Sequence, residues 1–116
     1  MTVADWTHGG HGIAYQGCHA CRSIWYFRRD FCPRCGAGEP EPRQAGGKGT
    51  VHARTLVARA PSEEMRAHTP YLIVLVDADE GFRLMAHGDK ALQIGDRVRV
   101  RFIEIGGKKL PYFDKA

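Results

Sequence analysis

Beyond residue 49, short runs of branched and aromatic residues alternate with clusters of turn formers, a rhythm that predicts about five strands and little helix. The runs are Thr50 to Arg59, Tyr71 to Asp77, Phe82 to His87, Arg97 to Ile105 and Leu110 to Phe113. In Arg97-Val98-Arg99-Val100-Arg101-Phe102 apolar residues alternate with arginines, the pattern of a strand with one buried and one wet face, and Gly95-Asp96 and Gly106-Gly107 supply its turns. Tyr71 to Val76 is apolar throughout, which predicts a central strand covered on both sides, and Asp77 to Gly81 then turns the chain into Phe82. Only Ser62 to Ala67 reads as helical, for about one turn. Five short strands in about 65 residues hold too little for a two-sheet sandwich, so the economical fold is a small closed barrel of the oligonucleotide/oligosaccharide-binding (OB) type.

The residues before the barrel have a different texture. Gly9 to Ala37 holds all four cysteines together with Trp25, Tyr26, Phe27 and Phe31 and shows little apolar periodicity, which reads as a loop-and-hairpin module. Gly36-Ala37-Gly38-Glu39-Pro40-Glu41-Pro42 and Gly46-Gly47-Lys48-Gly49 cannot hold a helix and mark a boundary before the barrel. With 43% of its 116 residues apolar, the chain supports one core, and a separate module of ~30 residues needs a staple.

Cys18-His19-Ala20-Cys21 and, ten residues on, Cys32-Pro33-Arg34-Cys35-Gly36 supply that staple. Two residues between paired cysteines let both thiolates converge from one tight turn. Two such turns facing each other form a tetrahedral sulfur cage, closed and therefore structural, with Zn–S distances of ~2.3 Å. The spacing is that of a rubredoxin-like zinc ribbon, one Zn2+ per chain on Cys18, Cys21, Cys32 and Cys35, with Arg22 to Phe31 as a hairpin rising from the metal. Iron is the alternative occupant. Arg22 follows the first turn where such ribbons commonly carry glycine. The chain is thus read as mainly β, with an N-terminal extension at 1–12, the ribbon at 13–38, a linker at 39–46 and the five-stranded OB barrel at 47–116.

Met1 to Trp6 has neither the basic start nor the apolar stretch of a secretory signal, and the longest apolar run falls far short of the ~18 residues of a bilayer span. A cytoplasmic protein with no membrane segment is expected, and in that reducing compartment paired cysteines hold metal rather than disulfides. Seventeen Lys and Arg against thirteen Asp and Glu give +4, which four thiolates on one divalent ion lower to +2, with no basic run. No enzyme motif stands out. The cage consumes the cysteines, Asp77 and Asp79 sit at a strand turn, His52 and His87 lie in strand-like segments, and Gly46 to Thr50 precedes a strand where a phosphate loop needs a helix.

In this arrangement the chain resembles the acyl-CoA-associated proteins that join an N-terminal rubredoxin-like zinc ribbon to a C-terminal OB fold. The matching pieces begin with the Cys18 to Cys35 ribbon, Gly47-Lys48-Gly49-Thr50-Val51 and Thr69-Pro70-Tyr71-Leu72-Ile73-Val74-Leu75-Val76. They continue through Glu80-Gly81-Phe82-Arg83-Leu84-Met85, Ile94-Gly95-Asp96-Arg97-Val98 and Leu110-Pro111-Tyr112-Phe113, so that the resemblance spans about residues 13 to 114. Many such proteins begin with a long helix, for which Met1 to Gly12 is too short and too rich in glycine. The resemblance implies a non-catalytic accessory subunit in a hetero-oligomer with a thiolase-superfamily enzyme that acts on CoA thioesters. Thiolytic retro-Claisen cleavage of a 3-oxoacyl-CoA in a degradation pathway is the first expectation, and an acyltransferase or retro-aldolase partner is the alternative.

Trp25, Tyr26 and Phe27, followed by Arg28-Arg29, exceed what so small a ribbon can bury and are candidate partner contacts, with packing against the barrel as the competing reading. Met65, in the long connection from Ala60 to Pro70, is a second candidate contact. Arg97, Arg99 and Arg101 are candidate contacts to CoA phosphates at the subunit boundary. The rival class is a nucleic-acid-binding module, because ribbons and OB barrels both serve there. Asp96 and Glu104 flank the arginine strip, which argues against it.

Overall fold

The computed structural model describes residues 3–59, 63–66 and 69–116, with the backbone alone for 64 and 65. A short 3₁₀ turn, Trp6–His8, precedes β1 (Ala14–Gly17), β2 (Ile24–Trp25) and β3 (Glu41–Gln44), which form one antiparallel sheet in the order β2-β1-β3. Then β4 (Lys48–Val57), β5 (Tyr71–Ala78), β6 (Arg83–Gly88), β7 (Arg97–Ile105) and β8 (Lys108–Lys115) close a barrel in the order β4-β5-β6-β8-β7. The one-turn helix α1 (Glu63–Arg66) lies in the β4–β5 connection. Neighbouring barrel strands run antiparallel except β6 and β8, which meet in parallel at His87 with Tyr112 and Gly88 with Phe113. The five strands and the closed OB barrel expected from the alternation are present.

Closure depends on β4, which pairs with β5 along most of its length and with β7 only through Lys48, Gly49 and Thr50. A Cβ at Gly49 would stand 2.5 Å from the Asp77 carbonyl oxygen, so the strands meet around a residue that must lack a side chain. An irregularity between Val51 and Ala53 then bends β4 away. The loop before β7 follows it: the Val51 N–H donates to the Asp96 carbonyl and the Gly95 N–H to the Val51 carbonyl, both at 2.9 Å.

The interior is filled by Val51, Leu72, Val74, Val76, Leu84, Val98 and Phe113, joined by Leu92 from that loop. Along β7, Val98 is buried while Arg97, Arg99 and Arg101 face water, as their alternation predicts. Strand β5 departs from expectation: Leu72, Val74 and Val76 point into the core, but Tyr71, Ile73 and Leu75 are half-buried. A barrel of five strands has one interior, so only alternate residues of an apolar run can enter it.

The core continues out of the barrel into the ribbon, where Ile13 and Tyr15 are buried in the same cluster. Phe82, just before β6, stacks against both Tyr15 (centroids 4.7 Å apart) and Tyr26 (5.7 Å). Part of the segment read as a linker is strand: Glu41–Gln44 is β3, zipped to β1 from Ala14 with Gln44 to Gly17 with Glu41. The Gly46 N–H then donates to Glu80 Oε2 at 2.8 Å, tying the connection to the β5–β6 turn.

In that same turn Asp79 receives both Nη atoms of Arg97, at 2.7 and 2.8 Å. Hydrogen bonding and charge from Arg97 hold the Asp79 carboxyl below its ordinary value. The stabilisation is therefore complete above the unfolded value of about 3.9 and is lost as pH falls through the lower folded one. Thermal melts from about pH 5 to 3 are expected to fall more steeply for the wild type than for Asp79→Asn. Parallel curves would show that the pair contributes nothing.

Candidate functional site

The four cysteines come together at the end of the ribbon, their sulfurs all within 4.8 Å of one another. Cys18 and Cys35 sulfurs are 3.5 Å apart, and those of Cys21 and Cys32 are 3.6 Å apart. A tetrahedron of sulfurs at ~2.3 Å from one ion has edges of roughly 3.8 Å, so the cluster fits a single ion with little movement. Each Cys-x-x-Cys turn is built the same way. The Arg22 N–H donates to the Cys18 carbonyl and the Gly36 N–H to the Cys32 carbonyl, both at 3.0 Å. The Cys18 sulfur accepts from the N–H groups of Ala20 (3.3 Å) and Cys21 (3.4 Å), and the Cys32 sulfur from those of Arg34 and Cys35 (both 3.4 Å). Backbone donors aimed at sulfur favour thiolate, the form a metal binds.

The repetition explains one departure in the sequence. Gly36 ends the second turn at φ 79° and Arg22 ends the first at φ 65°, a left-handed conformation that penalises a side chain. Arg22→Gly is therefore expected to stabilise the ribbon by about 1 kcal/mol, read as a higher denaturant midpoint at unchanged metal content. A lower midpoint would mean that the arginine side chain offsets the strain.

Thiol acidities differ around the cluster. The Ser23 hydroxyl and backbone beside its sulfur lower the Cys21 thiol to about 6, and the Cys21 N–H is the main cause of the lowering at Cys18. At Cys35 the backbone of Ala37 acts downward, yet the hydrogen bond to Cys18, burial and the remaining sulfurs outweigh it and push the thiol up to about 11. Four thiolates cannot coexist there at neutral pH without a compensating cation. Soft sulfur donors in closed tetrahedral order are a set that zinc and iron both accept.

The expected partner contacts separate in the structure. The Trp25 indole N–H donates to Gln16 Oε1 at 2.7 Å, and the same oxygen accepts from the Arg29 N–H while Gln16 Nε2 donates to the Arg29 carbonyl. This clasp holds 26–29 as a loop. The hairpin expected over Arg22 to Phe31 is accordingly replaced by a two-residue β2 on β1 and a lone bridge between Phe31 and Gly38. Nothing in the sequence marks Gln16, whose role depends on a segment thirteen residues away. Tyr26 packs on Phe82 and its hydroxyl accepts from the Trp6 indole N–H at 2.8 Å, while Phe27 stays 75% exposed. Met65 lies in α1, and its side chain and much of the surrounding connection are outside the described residues.

The arginine strip is partly spent. Arg97 is held by Asp79, and Arg101 Nε donates to Asp114 Oδ2 at 2.5 Å with its guanidinium over the Tyr112 ring. Arg99 faces water with no side-chain partner among the described residues. A groove of about 840 Å³, which the sequence did not foretell, opens between the N-terminal turn and the ribbon sheet.

Residues 42–102 match the family described as the ChsH2 C-terminal OB-fold domain. The chain is 26% identical over 111 residues to a DUF35 domain-containing scaffold protein of Methanothermobacter thermautotrophicus, covering 90% of this chain and 83% of the relative. Among solved structures it is similar to the Ltp2–ChsH2(DUF35) aldolase, with a TM-score of 0.77 and 26% identity over 90% of this chain and 84% of that one. A DUF35-family protein of unknown function from Sulfolobus solfataricus shares the fold at a TM-score of 0.59 and 16% identity, over 90% of this chain and 76% of that one. With more than half of its length matched by the family, and the likeness to relatives reaching through the ribbon, this chain belongs to the ChsH2 C-terminal OB-fold family of DUF35 proteins.

Proposed function

We propose that the chain is a non-catalytic, zinc-binding accessory subunit of a thiolase-superfamily enzyme that acts on CoA thioesters. The observation that carries this reading is its likeness, over 90% of its length, to a chain of the Ltp2–ChsH2(DUF35) aldolase. The chemistry of the chain itself agrees. Its four cysteines face one another, and its carboxylates Asp77, near the end of β5, and Asp79, in the turn after it, are occupied by Arg83 and Arg97. A closed four-sulfur set leaves a zinc ion no open position, so the metal would hold the ribbon rather than act on substrate.

The aldolase neighbour favours a retro-aldol partner over the thiolytic cleavage first expected. Both reactions break the bond between the α and β carbons of the thioester, so the same kind of partner serves either. Phe27 with Arg28 is the best remaining docking candidate, and Arg99 the arginine still available to a CoA phosphate. The paired arginines weigh against nucleic acid, and a cysteine cluster that holds metal instead of forming disulfides suits the cytoplasm.

Full-length tagged protein is expected to recover a thiolase-superfamily enzyme from its own cells in near-equal amount. The purified chain alone should leave 3-hydroxyacyl-CoA and 3-oxoacyl-CoA intact. Turnover by the partner-free chain, or recovery of nucleic acid and its polymerases instead, overturns the reading.

A further inference from the structure

The groove beside the ribbon takes no part in holding metal or closing the barrel, yet its walls are fixed. Trp6, Tyr26, Phe27, Pro40 and Pro42 line it, with Arg28. The N-terminal segment that forms one wall is tied down at several points: Ala4 N–H to Gln44 Oε1 (2.7 Å), Trp6 N–H to the Gly12 carbonyl (2.8 Å) and Lys109 Nζ to the Gly9 carbonyl (2.9 Å). Asp5 caps the turn through the Thr7 N–H and hydroxyl. A preformed wall costs a ligand little ordering.

Three properties describe what would fit. Aromatic rings interleaved with prolines suit an extended segment with apolar side chains, as in grooves that read polyproline-type chains. The Tyr26 hydroxyl accepts from Trp6, and its own proton has no acceptor among the described residues, which leaves one donor for a main-chain carbonyl. Arg22, Arg28, Arg29 and Arg34 form no ion pair among the described residues, and Asp30 is the sole acid between residues 22 and 38. By contrast Arg43, Arg83, Arg97 and Arg101 are each matched to a carboxylate. Four arginines without an ion pair thus fall within 13 residues of chain, where Phe27 (75% exposed) and Phe31 (64%) also lie, and arginine with aromatic surface is the composition of interface centres.

We propose that this groove receives an extended acidic segment of the partner enzyme, with an apolar side chain seated among Trp6, Tyr26 and Phe27 and its carboxylates against Arg28 and Arg29. The inference rests on the partner reading above and names the surface and chemistry through which it works. A hydrocarbon tail would leave both the Tyr26 donor and the arginines unanswered.

The test uses the full-length chain assembled with the enzyme recovered in the pull-down, with Phe27 replaced by p-benzoylphenylalanine. Met85, 65% exposed on the barrel, is replaced in a parallel sample. On irradiation the Phe27 position is expected to capture a partner segment richer in Asp and Glu than in Lys and Arg, and the Met85 position to capture none of it. Arg28→Glu with Arg29→Glu should weaken assembly by roughly tenfold or more at low salt, while metal content and melting stay at wild-type values. The corresponding double lysine variant should assemble nearly normally. Capture of a neutral or basic segment, of nucleic acid or of an acyl-CoA at Phe27 overturns the proposal, as does an assembled complex with no capture there. Capture at Met85 alone leaves the partner reading standing and removes the groove from it. Failure to recover any thiolase-superfamily enzyme overturns both.

Discussion

Cys32→Ser is expected to release the metal and unfold the ribbon while the barrel keeps its strands. Cys32 is 4% exposed, and its sulfur accepts two backbone N–H groups and lies 3.6 Å from Cys21. A serine oxygen reproduces neither the length nor the softness of that ligand. In a module this small, metal binding free energy is folding free energy, on the order of 10 kcal/mol or more for four-ligand zinc modules. The barrel has its own ladder on every side and an interior of Val51, Leu72, Val74, Val76, Val98 and Phe113. Metal analysis should fall from near one equivalent to below about half, with most of the far-ultraviolet β signal kept. A wild-type protein with less than half an equivalent would remove the metal site altogether, and loss of the barrel with the ribbon would show a single cooperative unit.

The second large effect is expected at Phe82, where ribbon and barrel share one aromatic stack. Phe82 is 4% exposed and lies against Tyr15 and Tyr26, which come from either side of the first cysteine turn. Phe82→Ala should cost about 3–5 kcal/mol, the usual loss for a buried phenylalanine with its cavity. Phe82→Leu keeps most of the volume and isolates the ring–ring part, about 0.5–1.5 kcal/mol for each pair. The cysteine turns are closed by their own local hydrogen bonds, so both variants should retain metal. Phe27→Ala, at an exposed ring, should change stability by no more than about 0.5 kcal/mol. Denaturant unfolding with parallel metal analysis separates these outcomes. A loss below about 1 kcal/mol for Phe82→Ala would show that the joint lies elsewhere, in β3 or the Gly46–Glu80 bond.

The metal cluster and the barrel strands were legible because each is encoded in short stretches of chain. Two residues between cysteines dictate a tight turn wherever the turn lies, and Arg97 to Phe102 displays its two faces in six consecutive residues. The meeting of the four cysteines and the closure of five strands into one barrel followed from those local patterns. The fate of the aromatic run did not. Trp25 is held by Gln16, Tyr26 by Phe82 and Trp6, and Phe27 by neither, a division that depends on partners before β2 and far beyond it. Glu41–Gln44 is polar and contains Pro42, so it carries no strand pattern of its own. It is a strand because β1 offers it an open ladder.

What the sequence by itself determined is therefore local: the meeting of the four cysteines, the strand positions and the turns. Tertiary structure decided which arginines remain available, since Asp79 and Asp114 reach Arg97 and Arg101 only once the barrel closes. It also decided that β5 has a single buried face, and that the N-terminal segment and ribbon enclose a groove rather than bury one another. The physical reason is the same in each case. Spacing along a chain sets backbone geometry over a few residues, whereas pairing, burial and unmatched charge belong to residues that meet only through the closure of the whole fold.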